Sequence, residues 1–197
     1  MRDAMRDRIL DAADLLFARY GYRKTSVEDL AREAGIGKGT IYLYFPSKEE
    51  IALSWTDRRI RRLVDVLETI AAGPGRPAER LREMLSARVL VLFDSAQSHA
   101  HIFDELYAAI RPAYMPRRQQ YFAWEAEVLV RVLEEGRAAG ELVFDEALPT
   151  ARALLLATNG LMPFSLSEQQ LRERAQVAAM AERIARLLLE GLCHPVP

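Results

Sequence analysis

The stretch from Thr25 to Lys48, T-S-V-E-D-L-A-R-E-A-G-I-G-K-G-T-I-Y-L-Y-F-P-S-K, decides how this chain folds. Ser26 is a natural N-cap, and Asp29 three residues on completes an S-x-x-D box, with Leu30 placed to staple back over Thr25. Leu30, Ala31 and Ala34 give a short helix one apolar side, and Gly35 follows as the residue free to take positive φ. Gly37 opens a second short helix. Phe45-Pro46 closes it, because proline disfavours a helical residue before it. Ser47 and Glu50 form another box, from which a long helix runs from Lys48 to about Ala71.

The second short helix is badly suited to being a helix on its own. Lys38, Gly39, Thr40, Ile41, Tyr42 and Tyr44 include a glycine, two β-branched residues and two aromatics, all mediocre helix formers. A segment that breaks local rules often serves a site. Successive residues turn by about 100°, so Ile41 and Phe45 share an inward face. Gly39, Thr40, Tyr42, Leu43 and Tyr44 occupy the remaining arc, which carries no carboxylate. Two short helices around a glycine turn form a helix-turn-helix, whose second helix enters the DNA major groove. Tyr and Thr hydroxyls suit phosphates, while Leu43 and the Thr40 methyl suit a thymine methyl. Lys38 lies at the helix N-terminus, where the macrodipole disfavours a cation unless a phosphate or base acceptor sits beside it. The plainer alternative is a small helical hairpin inside some other all-α protein.

Beyond this local reading, residues from about Ile9 to Asp57 resemble the N-terminal DNA-binding domain of TetR-family transcriptional regulators. The resemblance rests on L-F-A-R-Y-G-Y (Leu16 to Tyr22), T-S-V-E-D-L-A-R-E-A-G (Thr25 to Gly35) and G-K-G-T-I-Y-L-Y-F-P-S-K-E-E (Gly37 to Glu50). It covers the first quarter to third of the chain. It implies that Thr25 and Ser26 contact the phosphate backbone and that Lys48 holds a phosphate from the next helix. It also implies that Lys38, Gly39, Thr40, Tyr42, Leu43 and Tyr44 face the groove.

Composition bounds the remainder. The chain has 197 residues, enough for one or two domains with a real core. Half of them are hydrophobic, yet no run approaches the uncharged length that spans a membrane. The opening M-R-D-A-M-R-D-R-I-L has no signal-peptide pattern, and the single cysteine, Cys193, fits a reducing cytosol; a cytoplasmic location is expected. The net charge of −1 is unlike that of a nucleic-acid binder. Residues 1–62 hold 13 Lys/Arg against 10 Asp/Glu, a balance of +3, and residues 63–197 hold 14 against 18, a balance of −4. That asymmetry has the right sign but is modest, so the motif carries the DNA reading.

The whole chain reads as helices. Ile9, Leu10, Ala13, Leu16, Phe17 and Tyr20 recur at helical spacing in a first helix that ends at Gly21. After A-G-P-G-R-P (Ala72 to Pro77), further helices are expected over Ala78 to Ser95, Ser98 to Ile110, Arg117 to Gly136, Ala147 to Leu161 and Glu168 to Glu190. The expected fold is all-α with about nine helices. A helix-turn-helix domain occupies residues 1–48, and a helical effector-binding and dimerisation domain occupies residues 49–197.

The last two helices are richer in small and apolar residues than one covered face requires. Leu154, Leu155, Ala157, Thr158 and Leu161 on one, and Ala175, Ala178, Ala179, Ile184, Leu187 and Leu188 on the other, suit a four-helix dimer interface. Family resemblance points to the same homodimer; packing within one chain is the alternative. For an effector pocket the candidates are Phe93, His99, Phe103, Tyr107, Tyr114, Tyr121, Trp124, Met162 and Phe164, with Met115 and Phe122 beside them. Such residues suit an apolar or aromatic small molecule, although each taken alone is an ordinary core residue.

Other chemistry finds no support in the sequence. G-I-G-K-G-T lacks a Walker A: Arg32 stands where a glycine is needed and Gly39 where a Ser or Thr is needed. His99 and His101 fall about 200° apart on a helix and cannot chelate one metal. No G-x-S-x-G elbow occurs. No metal, no cofactor and no enzymatic activity are expected. The expected protein is a dimeric, ligand-responsive regulator, a repressor by family habit, that binds a palindromic double-stranded operator and releases it when a small molecule binds. An architectural or partner-binding DNA protein on the same fold, without an inducer, is the second reading.

Overall fold

In the computed structural model the backbone is described for residues 2–97, 103–167 and 169–193. Eight α-helices are present: α1 (Arg2–Tyr20), α2 (Val27–Glu33), α3 (Lys38–Tyr44), α4 (Lys48–Ala71), α5 (Pro77–Gln97), α6 (Phe103–Ala138), α7 (Ala147–Ala157) and α8 (Arg174–Cys193). Three short 3-10 turns, Asn159–Leu161, Pro163–Ser165 and Gln170–Arg172, link the last two helices. No strand occurs among the described residues, so the fold is all-α. The chain divides into two compact units, Met1–Ile60 with Ser98–Arg117, and Arg61–Gln97 with Arg118–Pro197.

The first unit is built on the capping signals of the sequence. Ser26 Oγ accepts the Asp29 N–H at 3.1 Å, while Asp29 Oδ2 accepts the Ser26 N–H at 3.0 Å, so the box before α2 is reciprocal. The Ser26 hydroxyl also donates to that carboxylate, which holds the Asp29 pKa below the usual carboxylate range. The box therefore stabilises the fold above that range and is lost as pH falls through the lowered value. At the other end of α2, the Gly35 N–H bonds Arg32 O and the Ile36 N–H bonds Ala31 O, the two bonds of a Schellman motif. Gly35 sits at φ +63°, and a Cβ there would lie 3.2 Å from Arg8 Nη2. Gly35→Ala should therefore cost about 1–2 kcal/mol, read as a lowered melting temperature.

Phe45 ends α3 in extended geometry ahead of Pro46, as its sequence dictates. Ile41, Phe45, Phe17, Leu30, Ile51 and Trp55 form a closed core, with Phe17 edge-on to both Tyr22 and Trp55. Trp55 Nε1 donates to Asp14 Oδ1 at 2.7 Å. The box expected at the start of α4 is only half made. Ser47 Oγ accepts the Glu50 N–H, but the Glu50 carboxylate turns instead to Arg117, whose Nη2 reaches both its oxygens at 2.9 Å. Arg117 Nη1 also donates to Asp57, and Leu106 and Ile110 complete the core beneath. The early part of α6 is thereby pinned to α4.

Residues 103–110 and 117–136, expected in two helices, lie in one, α6, so the described residues hold eight α-helices where about nine are expected; residues 98–102 fall outside them. Pro112 and Pro116 lie inside α6. They are four residues apart and both exposed, as is Ala108 one turn earlier, so the carbonyls they leave without an amide partner face water. The helix expected to begin at Glu168 starts at Arg174. Ser167 donates through its N–H and hydroxyl to Gln170 Oε1, closing a 3-10 turn, and Glu173 leaves helical geometry.

The second unit packs Leu63, Leu67, Leu85, Leu129, Leu133 and Leu155 into its main core, with α5 running along α8. A smaller cluster joins Val89, Phe93, Met162, Val177 and Ala181. Leu154, Leu155 and Thr158 are buried within the chain, so they do not form an outward face. The exposed apolar residues of these last helices are Leu148 and Leu156 on α7 and Met180 and Leu187 on α8, flanked by Ala157, Ala175 and Ala179. No described helix is long and apolar enough to cross a membrane.

Candidate nucleic-acid interface

Helix α3 exposes the arc that its sequence marks. Ile41 is fully buried, whereas Tyr42 is 48% and Leu43 74% exposed. Gly39 lies in open space, with nothing within 4 Å of where a Cβ would stand. Thr40 and Tyr44 are half-buried at the edges of this arc. Leu43 is the most exposed of the large hydrophobic residues described, which water alone does not favour. The helix is held from behind by Arg6. Its Nη1 donates to Tyr44 O at 3.0 Å, where a cation complements the helix C-terminus, and its guanidinium lies over the Phe45 ring.

The polar groups around the arc are already partnered within the chain. Lys38 Nζ pairs with Glu28 on α2, both side chains about half-exposed. That hydrogen bond lowers the Glu28 pKa and raises that of Lys38. Ser26 is committed to its capping box. Thr25 is buried, and its hydroxyl donates to Gly21 O at 2.8 Å, so its side chain holds the turn before α2. Lys48 donates to Tyr22 O and Thr25 O at 3.0 Å each and lies over the Tyr22 ring, tying α4 to the same turn. Burial, with the nearby Glu49 charge, raises the Tyr22 pKa. Lys24, which the sequence reading did not single out, is exposed in that turn.

The effector candidates separate into different places. Phe93 and Met162 meet in the smaller core cluster of the second unit and are both closed off from solvent. Tyr121 is buried, 5.8 Å from the half-buried Trp124. Trp124 carries Arg61 over its ring and lines an open groove of about 620 Å³ between α4 and α6, with Val64, Asp65, Glu68 and Arg131. Phe164 is 48% exposed. Tyr114 packs instead against the core of the first unit. His99 falls outside the described residues, as do the side chains of Phe103 and Tyr107.

Sequence reading missed a buried ion pair in the second unit. Arg88 on α5 pairs with Glu125 on α6, and each side chain is 3% exposed. Arg88 also donates to Thr158 Oγ1 at 2.7 Å, Leu155 O at 3.2 Å and Asn159 Oδ1 at 3.2 Å. Its signal was Arg88 at the head of the apolar run R-V-L-V-L-F and Glu125 within F-A-W-E-A-E-V-L-V, where the exposed Glu127 is a second acid.

A profile described as bacterial regulatory proteins, tetR family, matches residues 9–54. The HTH-type transcriptional regulator EthR of Mycobacterium tuberculosis (strain ATCC 25618 / H37Rv) is 32% identical over 154 residues, covering 75% of this chain and 69% of EthR. The fatty acid metabolism regulator protein of Bacillus subtilis (strain 168) is 24% identical over 189 residues, 93% of each chain. The crystal structure of the transcriptional regulator FadR from Bacillus subtilis, solved with stearoyl-CoA, matches with a TM-score of 0.66 at 21% identity, over 94% of this chain and 98% of that one. These relatives are named as regulators, and none as an enzyme.

Proposed function

This chain belongs to the TetR family of bacterial transcriptional regulators, and from that premise we propose that it is a homodimeric, ligand-responsive repressor of a palindromic operator. In this reading residues 1–48 bind DNA, and residues 49–197 hold the effector and the dimer interface. The observation that carries it is the outward arc of α3, where Tyr42 and Leu43 stand exposed on a helix with no carboxylate. Leu43 and Thr40 meet base edges, Tyr42 and Tyr44 reach phosphates, and Gly39 lets the backbone approach. Ser26, Lys38 and Lys48 flank this surface; Thr25 contributes through its backbone. The exposed Leu148, Leu156, Met180 and Leu187 support pairing of α7 and α8 with a second copy. Two reading heads about 34–36 Å apart then address successive turns of major groove.

The effector has an apolar or aromatic body and occupies the helical domain. Among the relatives, FadR was solved with stearoyl-CoA, which supports a hydrophobic ligand class. Helix α4 begins at Lys48, beside the DNA-binding turn, and contributes Leu63 and Leu67 to the second core. A ligand that favours one position of α4 changes the separation of the heads and so lowers operator affinity, a shift between two populations.

Titration of the purified protein against duplex DNA from its own upstream region, at two salt concentrations and with random competitor, tests this reading. Specific binding with two chains per site is expected, and binding that collapses with salt and shows no sequence preference would refute it. The same titration probes the Lys38–Glu28 pair. Glu28→Gln frees Lys38 for a phosphate, so non-specific affinity should rise and the salt slope should steepen by about one per reading head. An unchanged slope would place Lys38 away from the phosphates.

A further inference from the structure

Most of the part-buried arginines among the described residues have an acceptor, and Arg59 lies over the Trp55 ring. Arg6 has Tyr44 O, Arg58 has Asp11, Arg80 has Glu135, Arg88 has Glu125, and Arg117 has Glu50 and Asp57. Arg118, also half-buried, has neither a carboxylate nor a hydrogen-bond acceptor among the described residues. Its guanidinium lies over two phenyl rings instead, 5.4 Å from the centroid of Phe122 and 5.4 Å from that of Phe164. Phe122 carries a second cation, Arg88, at 5.5 Å. Of the two guanidiniums at that ring only Arg88 is neutralised, by Glu125, so the cluster keeps one positive charge.

Ring faces attract a guanidinium but consume none of its N–H donors in ordinary hydrogen bonds. Arg118 is therefore a cation held in an aromatic setting with its donor fork unused, which is the arrangement that binds an oxyanion in bidentate fashion. A half-buried, unpaired charge has lost part of its hydration, and an arriving anion offsets that cost. Phe164, 48% exposed, leaves apolar surface beside the cation for the rest of a ligand.

We infer that Arg118 receives the anionic head of the effector, an oxyacid on an apolar body that lies against Phe122 and Phe164. This rests on the ligand-responsive reading above and narrows its ligand class from apolar to amphiphilic and acidic. Carboxylate and phosphate heads share the chemistry that Arg118 recognises.

Calorimetric titration of the full-length protein with decanoate, decyl phosphate and decan-1-ol tests the assignment. At least one of the two anions should bind about tenfold or more tightly than the alcohol, and which of them does so identifies the head group. Arg118→Gln should reduce that affinity to the level of the alcohol, and Arg118→Lys, which keeps the charge without the fork, should fall between. Equal affinity for alcohol and anions overturns the inference, as does absence of anion binding or an anion affinity unchanged in both variants. If Arg118→Gln only lowers the melting temperature of the free protein, with anion affinity retained, Arg118 is a structural brace. Release of the operator by a neutral compound, equally in the wild type and in Arg118→Gln, would overturn this inference while leaving the repressor reading intact.

Discussion

Replacing Arg88 by methionine should destabilise the helical domain by about 3–5 kcal/mol, the largest stability loss we expect from a single substitution outside the aromatic cores. The cause is not the removal of a favourable contact alone. Glu125 is 3% exposed, and without Arg88 it becomes a carboxylate with neither water nor a counter-ion. Thr158 Oγ1 and Asn159 Oδ1 lose their donor as well, and these groups hold the end of α7 and the turn after it. Glu125→Gln should cost less, because Arg88 keeps its other acceptors and the amide oxygen still accepts. The double variant Arg88→Met with Glu125→Leu should recover much of the loss, since well-packed apolar residues often replace a buried pair at little cost. Denaturant unfolding of these proteins, with Glu125→Leu alone added to close the double-mutant cycle, measures the coupling. A loss below about 1 kcal/mol for Arg88→Met would show that the pair is hydrated in solution.

The legible parts of the fold are those that local signals dictate. Ser26 with Asp29, Gly35 after α2 and Phe45-Pro46 after α3 each act within a few residues, and each is found where the chain predicts it. The errors lie where distant partners override a local signal. Glu50 was read as the second half of a capping box, but Arg117, 67 residues away, takes its carboxylate. Pro112 and Pro116 fall between two expected helices, yet helix geometry persists through them with their shared face exposed, while Leu106 and Ile110 on the other side are buried. Thr158 and Leu155, expected in a dimer face, are buried within the chain, where Arg88 bonds the Thr158 hydroxyl and the Leu155 carbonyl, and the exposed large apolar residues of α7 are Leu148 and Leu156.

The candidate sites divide along the same line. The arc on α3 follows from a 3.6-residue period with two inward anchors, Ile41 and Phe45, so its exposure could be read directly. That Glu28 would occupy Lys38 could not, because the pair spans two helices whose crossing the sequence does not reveal. In the helical domain aromatic residues were the only available signal, and aromatics fill cores as readily as pockets. Phe93 and Met162 are closed into a core and Tyr114 belongs to the first unit. The feature that distinguishes Phe164 and Phe122 is a cation, Arg118, that no periodicity argument would select.

Leu43→Glu should abolish specific operator binding while leaving the fold intact. Leu43 is 74% exposed and glutamate is about as good a helix former as leucine, so the substitution leaves the core untouched and the propensity of α3 nearly unchanged. What changes is the chemistry of the arc. A carboxylate replaces an apolar contact at the centre of a surface that carries no other acid on its helix, and it would enter a groove lined by phosphates. Each base contact is worth about 1–3 kcal/mol, and a dimer loses it twice, so the affinity should fall at least about thirtyfold before repulsion is counted. Leu43→Ala separates the two effects, since it removes the methyl contact without adding charge and should weaken binding more mildly. The measurement is operator titration beside thermal unfolding. Unchanged melting with lost binding identifies α3 as the reading helix. Retained affinity for a defined operator would mean that Leu43 faces away from the bases and that another surface carries the recognition.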